Sequence, residues 1–310
     1  MIISASYKTD IPTFYGEWFM NRLKAGYCKM ANPYSQQIYT VDLTPESVEG
    51  FVFWTKNVGP FLKHLLEVKS MGYPFFVQHT ITGYPRELEY RVIDYIHTID
   101  HMKALADVYG PHVAVWRYDP IVISSLTPSD WHLHNFEKLA QSLQGTTNEV
   151  VVSFAQIYKK TQRNMDWAAH EYGFTWSDHE AMAVSSVRHL ISDLAEISRS
   201  RGMLLKICSQ KAFLTPGITT EARCVDAERL EKVSGKIIVD RVELRGNRKE
   251  CGCFASKDIG EYDTCPHGCV YCYAVQQRDL ALERYKNHDP TGEFLFPPKN
   301  YLPLMKNSHG

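Results

Sequence analysis

The sequence predicts an α/β fold: a (β/α) barrel, incomplete or circularly permuted, with a C-terminal Cys-rich metal-binding segment. Three observations lead there. Short apolar runs alternate with amphipathic stretches six or seven times, the pattern of a parallel sheet clothed by helices. The chain has 310 residues, 44% hydrophobic and 22% charged, enough to bury a core without covalent staples. Five of its eight cysteines crowd into residues 251–272. The barrel core is expected over residues 1–240, with the Cys-rich segment, 241–310, packed on it.

Strands are expected at Ile2–Ser6, Gly50–Thr55, Pro74–Thr82, Val113–Tyr118, Val150–Ile157 and Met203–Cys208, with a seventh at Lys236–Arg241. Between them, a helix from Glu17 to Lys24 follows Pro12 and stops at Gly26. Thr44-Pro45-Glu46 reads as a helix cap with Pro in the first turn. Arg86 to Tyr109 places Leu88, Val92, Ile96, Ile99, Met102 and Leu105 at helical spacing. Thr127-Pro128-Ser129-Asp130 opens another helix. Ser177-Asp178-His179-Glu180 is a capping box ahead of Val187, Leu190, Ile191, Leu194 and Ile197, closed by Gly202.

An open doubly wound sheet is the alternative architecture, and in either one chemistry sits at the carboxyl ends of the strands. Neither GxGxxG nor GxxxxGK[ST] occurs, so no nucleotide fingerprint supports the open sheet. A net charge of −1 argues against a generally basic nucleic-acid coat but leaves room for a local groove. No stretch approaches the ~20 apolar residues of a membrane span, and MIISASYKTDIP lacks a basic region leading into a long apolar run. A cytoplasmic protein without a membrane partner is therefore expected.

In such a chain, clustered cysteines favour a metal over disulfides. Cys265, Cys269 and Cys272 follow CxxxCxxC, with Pro266 and Gly268 supplying a tight loop. Three close thiolates suit three irons of a 4Fe–4S cube and leave the fourth iron open. Zinc is the competing metal: it takes four ligands, here Cys251, Cys253 and two of the others. The Cys251–Cys253 pair also admits a second cluster with Cys208 or Cys224. For Cys208 alone, packing is the simpler reading. Asp258 and Asp263 are candidates to support or cap the loop.

CPHGCVYCYA, residues 265–274, resembles the cluster motif of radical S-adenosylmethionine enzymes, in particular the branch around spore photoproduct lyase, where an aromatic residue (here Tyr271) precedes the third Cys. The chain as a whole resembles the family called domain of unknown function 1848, through SASYKTDIPTFYGEWFMNRL, GFVFWTKN, WRYDPIV and the Cys segment. The first resemblance implies a 4Fe–4S cluster, S-adenosylmethionine, an electron-donor protein and a nucleic-acid base as substrate, for repair or modification. It also implies a cluster loop after the first barrel strand, whereas only 38 residues follow Cys272 here. A circular permutation reconciles the two, with Lys236–Arg241 as first strand and a helix over Val275–Lys286 after the loop. The strand ending Thr55-Lys56 fits the same resemblance.

Polar groups at strand ends are the remaining site candidates. His79, Arg117, Asp119 and Lys206 are taken as catalytic, and Lys56, Tyr271 and Gln156 as cofactor-binding. Arg117 and Asp119 alternate on one strand and equally suit a buried salt bridge, His79 a satisfied interior histidine, and Lys56 a solvated strand end. Tyr7, Trp54, Tyr84, Trp116, Tyr118 and Tyr158 are aromatic groups able to stack on bases or to pack. Lys159–Arg163 and Arg241, Arg245, Arg248 and Lys249 form either a phosphate track or solvated loops. His132 and His134, two apart on a helix, do not face each other and are expected at the surface. Two rival functions stand beside the radical enzyme. One is a metal-dependent hydrolase or nuclease using Asp119, His79 and Arg117; the other is a non-enzymatic iron–sulfur sensor or zinc-stabilised binding module.

Overall fold

A computed structural model describes residues 1–33, 35–248, 250–298 and 301. Its centre is an eight-stranded, wholly parallel sheet, built from strands β1 (Ile2–Ala5), β4 (Gly50–Thr55), β5 (Phe75–Thr80), β6 (Ala114–Ile121), β8 (Glu149–Phe154), β10 (Leu204–Ile207), β11 (Thr220–Glu221) and β12 (Ser256–Asp258). Two short antiparallel pairs lie outside it, β2 (Tyr27–Ala31) with β3 (Ile38–Asp42), and β7 (Ile123–Ser124) with β9 (Trp176–Ser177). The helices are α1 (Ile11–Phe14), α2 (Gly16–Ala25), α3 (Leu62–Ser70), α4 (Tyr95–Tyr109), α5 (Ser129–Ser142), α6 (Lys159–Tyr172), α7 (Val184–Ser200), α8 (Ala227–Ser234) and α9 (Arg278–Lys286).

The spatial order is β11-β10-β8-β6-β5-β4-β1-β12. Seven strands follow chain order, and the last strand of the chain lies beside the first. Ile2, Ile3 and Ser4 pair in parallel with Ser256, Lys257 and Asp258. Among the described residues β11 and β12 share no ladder, so closure of the sheet into a full barrel is not seen. The segments beside these edge strands nonetheless touch, where the Phe254 amide donates to the Val225 carbonyl at 3.0 Å.

Both faces of the sheet are covered, which is why its strands read as continuous apolar runs. Side chains alternate across each strand. Ile3, Phe51, Phe53, Val77, Trp116, Val150 and Leu205 join the core under the outer helices. Ile2, Val52, Phe76, Val115 and Val151 face the other way, onto α8 residues Ala227 and Leu230 and onto Phe254. Continuing that second alternation toward the carboxyl ends brings Ser4, Trp54, Gln78, Arg117 and Ser153 onto the inner face, a polar layer above an apolar floor.

Several expected elements move. Lys236–Arg241 is not a strand: Val239–Arg241 is a 3-10 turn, because the Glu231 carboxylate accepts the Ile238 and Val239 amides at 2.7 and 2.8 Å, the donors a ladder would need. Ser256–Asp258 takes the place beside β1. The helix expected over Arg86–Tyr109 begins at Tyr95, capped by Asp94, and residues 86–94 pack on the Cys loop instead. Thr44-Pro45-Glu46 forms a turn in which Asp42 accepts from the Thr44 amide, the Thr44 hydroxyl and the Ser47 hydroxyl. The Ser177–Glu180 box caps a 3-10 turn before α7, through Asp178 and the Glu180 amide. No helix of the described residues is long and apolar enough to cross a membrane.

Candidate functional site

Strand carboxyl ends and the loop after β12 enclose a cavity of ≈600 Å³. Its walls come from Tyr7 and Lys8 after β1, Lys56 after β4, Arg117 and Asp119 on β6, Gln156 after β8, Cys208 after β10, and Cys265, Cys269 and Cys272 after β12. The Cys loop thus follows the strand that pairs with β1. Asp258, at the end of β12, locks that junction: it accepts from the hydroxyls of Ser4 and Ser6, both at 2.7 Å, and from the Tyr7 and Gly260 amides, both at 3.0 Å.

Two buried polar groups then tie the CPHGC loop to the sheet. Asp10, the N-cap of α1, accepts from His267 Nε2 at 2.7 Å, from the Lys56 amide at 2.8 Å and from the Thr13 amide at 2.9 Å. Burial pushes the Asp10 carboxyl up, but His267 and these amides outweigh it and hold it below the usual carboxylate range. Glu89 accepts from Lys56 Nζ at 2.7 Å, from Thr82 Oγ1 at 2.6 Å and from the Tyr271 hydroxyl. Backbone bonds from Val270 to Leu88 and from Arg91 to His267 run alongside. Gly268 turns the loop at φ +75, a conformation that favours glycine. Burial raises the thiols of Cys265, Cys269 and Cys272 above their ordinary value.

Four more cysteines line the same cavity. Cys208 and Cys224 stand with sulfurs 3.4 Å apart. Cys224 also contacts Cys253, and Cys253 contacts Cys251. Arg117, buried and ion-paired with Asp119, donates from Nη1 to the Cys224 sulfur at 3.0 Å and to Gln78 Oε1 at 3.2 Å. Arg248 donates to the Cys208 sulfur at 3.3 Å and to Gln156 Oε1 at 3.2 Å. The Cys251 thiol is lowered to about 6, chiefly by its hydrogen bond with Cys253. Among the described residues no three Cys, His, Asp or Glu side chains already close on one point as metal ligands.

Of the sequence-predicted residues, the cavity gathers Lys56, Tyr271, Gln156, Arg117, Asp119, Cys251, Cys253, Cys265, Cys269 and Cys272. It does not gather His79 or Lys206. His79 is fully buried on the outer face of β5, one residue out of phase with inward Gln78 and Thr80, and Nε2 takes the Val58 amide at 3.4 Å. Burial lowers it to about 3. Lys206 does lie on the inner face, but one layer below the cavity, where Nζ pairs with Glu149 at 2.7 Å beside Arg229. The triad of Asp119, His79 and Arg117 is therefore not assembled. Asp119 is taken up by Arg117 and by the Ser153 hydroxyl.

Tyr7, Trp54 and Tyr158 line the cavity, whereas Tyr84, Trp116 and Tyr118 are core residues. His132 is not at the surface: it is fully buried, hydrogen-bonded to the Tyr118 hydroxyl at 2.8 Å and the Val122 carbonyl at 3.0 Å. Lys159–Arg163 is the first turn of α6, and only its Lys160 reaches the cavity wall, over the Tyr262 ring. Lys249 lies outside the described residues. Asp10, Glu89 and His267 escaped the sequence reading, although His267 sits inside the Cys motif and Asp10 precedes a Pro-containing helix start.

The family described as Domain of unknown function (DUF1848) matches residues 2–274. The chain belongs to that family. The matched span runs from β1 through the whole CPHGCVYC loop, so the DUF1848 pattern contains both halves of the β1–β12 junction. No curated protein matches the chain. Three chains of solved structures match. One is a putative alpha-L-fucosidase from Bacteroides thetaiotaomicron, 9% identical, covering 84% of this chain and 95% of that one at a TM-score of 0.24. A likeness that slight carries no argument.

Proposed function

We propose that this DUF1848 chain is an iron–sulfur enzyme of the radical S-adenosylmethionine type, with Cys265, Cys269 and Cys272 as ligands of a 4Fe–4S cluster. One observation carries the reading: the CxxxCxxC loop follows a strand paired in parallel with β1, and so opens onto the cavity at the strands' carboxyl ends. Spacing had left that placement unresolved. The donor set fits the group. Three partly exposed soft thiols line the cavity, and the Cys272 sulfur accepts the Ala274 amide at 3.3 Å, the kind of hydrogen bond that tunes a cluster. When bound, the cluster and S-adenosylmethionine would supply one-electron chemistry and hydrogen abstraction.

The chain's own residues perform the protein's share. Asp10 and Glu89 hold the loop through His267 and Tyr271. Lys56 borders the cavity beside Tyr271, its Nζ 5.8 Å from the ring centre and paired with Glu89, so it meets a cofactor carboxylate only by sharing that pair. Trp54, Tyr7 and Tyr158, with Lys8, Lys160 and Arg248 on the same cavity, offer stacking faces and cations for a nucleic-acid base. An electron-donor protein belongs to the same proposal.

The test is anaerobic iron and sulfide analysis followed by electron paramagnetic resonance of the reduced protein with and without S-adenosylmethionine. About four irons with sulfide, and a signal that shifts on adding the cofactor, are expected. A cluster signal indifferent to the cofactor removes the radical chemistry, and zinc without iron at this loop removes the cluster.

A further inference from the structure

We infer that Cys208, Cys224, Cys251 and Cys253 form a second metal site, separate from the Cys265–Cys272 loop, that takes one tetrahedrally held thiophilic ion of the zinc class. The argument starts from where the four lie. Cys208 and Cys224 follow β10 and β11, and Cys251 and Cys253 precede β12. Residues far apart in sequence are thus brought to the seam between the two edge strands of the sheet, where no ladder joins β11 to β12 among the described residues. Four cysteines from three segments meeting at one seam form a ligand set, not scattered packing.

The groups around the sulfurs point the same way. Two guanidinium groups aim at them, Arg117 at Cys224 and Arg248 at Cys208. Two backbone amides, of Cys224 and Val225, converge on the Cys253 sulfur at 3.1 and 3.3 Å. A neutral thiol is a weak acceptor, yet these sulfurs collect N–H donors as metal-bound thiolates do. A tetrathiolate ion carries net negative charge, and Arg117 and Arg248 would balance it.

The one close sulfur pair favours a single ion over a cluster. A zinc–sulfur bond near 2.3 Å places neighbouring sulfurs of a tetrahedron roughly 3.8 Å apart. Cys208 and Cys224 stand at 3.4 Å, on that scale, whereas a cube holds its cysteine sulfurs well beyond it. The contacts run as a chain, 208–224–253–251, so an ion closes the set by drawing its two ends together. Cys251, partly exposed at the rim, is the member with room to swing. The ion would join the segment after β11 to the segment before β12, in place of the missing ladder.

The test removes the first centre and leaves the second. A full-length Cys265→Ala/Cys269→Ala/Cys272→Ala variant is titrated with zinc, and with cobalt to read thiolate-to-metal charge transfer. About one equivalent per chain is expected, lost on adding Cys224→Ser/Cys253→Ser and weakened at least tenfold by Cys251→Ser alone. No binding, or binding indifferent to those changes, overturns the inference. Uptake of iron with sulfide at the quartet overturns it too. Should the variants fail to fold, thiol alkylation mapped on the wild-type chain answers instead. Cys208, Cys224, Cys251 and Cys253 are expected to be protected when metal-loaded and modified after chelation; equal modification in both states refutes the site. None of these readouts depends on the radical chemistry, so the two proposals fail separately.

Discussion

Lys56 and Glu89 form the buried pair on which the Cys loop leans, and their coupling is measurable. Their side chains are 13% and 5% exposed, and the charged atoms lie 2.7 Å apart. Lys56→Met leaves the Glu89 carboxylate buried with only the hydroxyls of Thr82 and Tyr271. Glu89→Gln leaves the Lys56 ammonium buried against a neutral amide. Deleting one partner of such a pair costs about 3–5 kcal/mol, a large share of a total stability of about 5–15 kcal/mol. For a chain this long, that is a fall of about 6 °C in Tm. The double variant removes both charges, and the Gln oxygen still accepts from the two hydroxyls. It is expected to lose less than the sum of the singles by about 2 kcal/mol or more. Urea denaturation of the four proteins at pH 7 closes the cycle. Additive losses would show that the pair is solvated in solution and does not anchor the loop.

Other expectations follow from single features. Lys206→Met should lower stability by only about 1 kcal/mol, because Glu149 keeps its buried pair with Arg229, while leaving iron loading at the Cys loop unchanged; loss of iron would return Lys206 to the site. Asp258→Ala should free the β1–β12 junction, removing the acceptor of two hydroxyls and two amides, and limited proteolysis should then cut between residues 246 and 264 many times faster than in wild type. An unchanged cleavage rate would refute the lock. His132 is lowered to about 4 by burial, below its unfolded value, so the stability it contributes is present above about pH 6.5 and lost as pH falls toward 4. Denaturation across that window should show a slope of about 1.4 kcal/mol per pH unit from this residue, absent in His132→Gln, and an unchanged slope would contradict the assignment.

The strand run was legible because two-sided burial writes itself as apolar runs: Gly50–Thr55 appears with the expected bounds, and the other expected strands through Met203–Cys208 shift by one to three residues at their ends. Site residues were legible to the extent that side-chain parity was applied. On β5, inward Phe76 implies inward Gln78 and Thr80, and so an outward His79, whose imidazole suggests catalysis while its phase turns it into the outer core. Lys206 has the right phase and the wrong depth, since Glu149 at the start of β8 captures it one layer below. Depth along a strand leaves no periodic trace. The buried anchors Asp10 and Glu89 left none either, because each serves a partner more than 180 residues away in sequence, His267 and Tyr271.

The β1–β12 pairing shows how local chemistry hides a strand. Ile237, Ile238 and Val239 look like one, and β12, three residues reading Ser-Lys-Asp, does not. Yet a strand beside β1 needs free amides more than apolar side chains, and Glu231 has already taken those of Ile238 and Val239. What β12 lacks in hydrophobicity Asp258 supplies by collecting Ser4, Ser6 and the Tyr7 amide from the neighbouring strand's end. The strand is thus defined by a side chain at its carboxyl terminus, at the point from which the Cys loop departs. A substitution that spares the hydrophobic core but breaks this carboxylate network should therefore shift the Cys loop before it unfolds the sheet, an order of events that β12 pairing through apolar contacts would reverse.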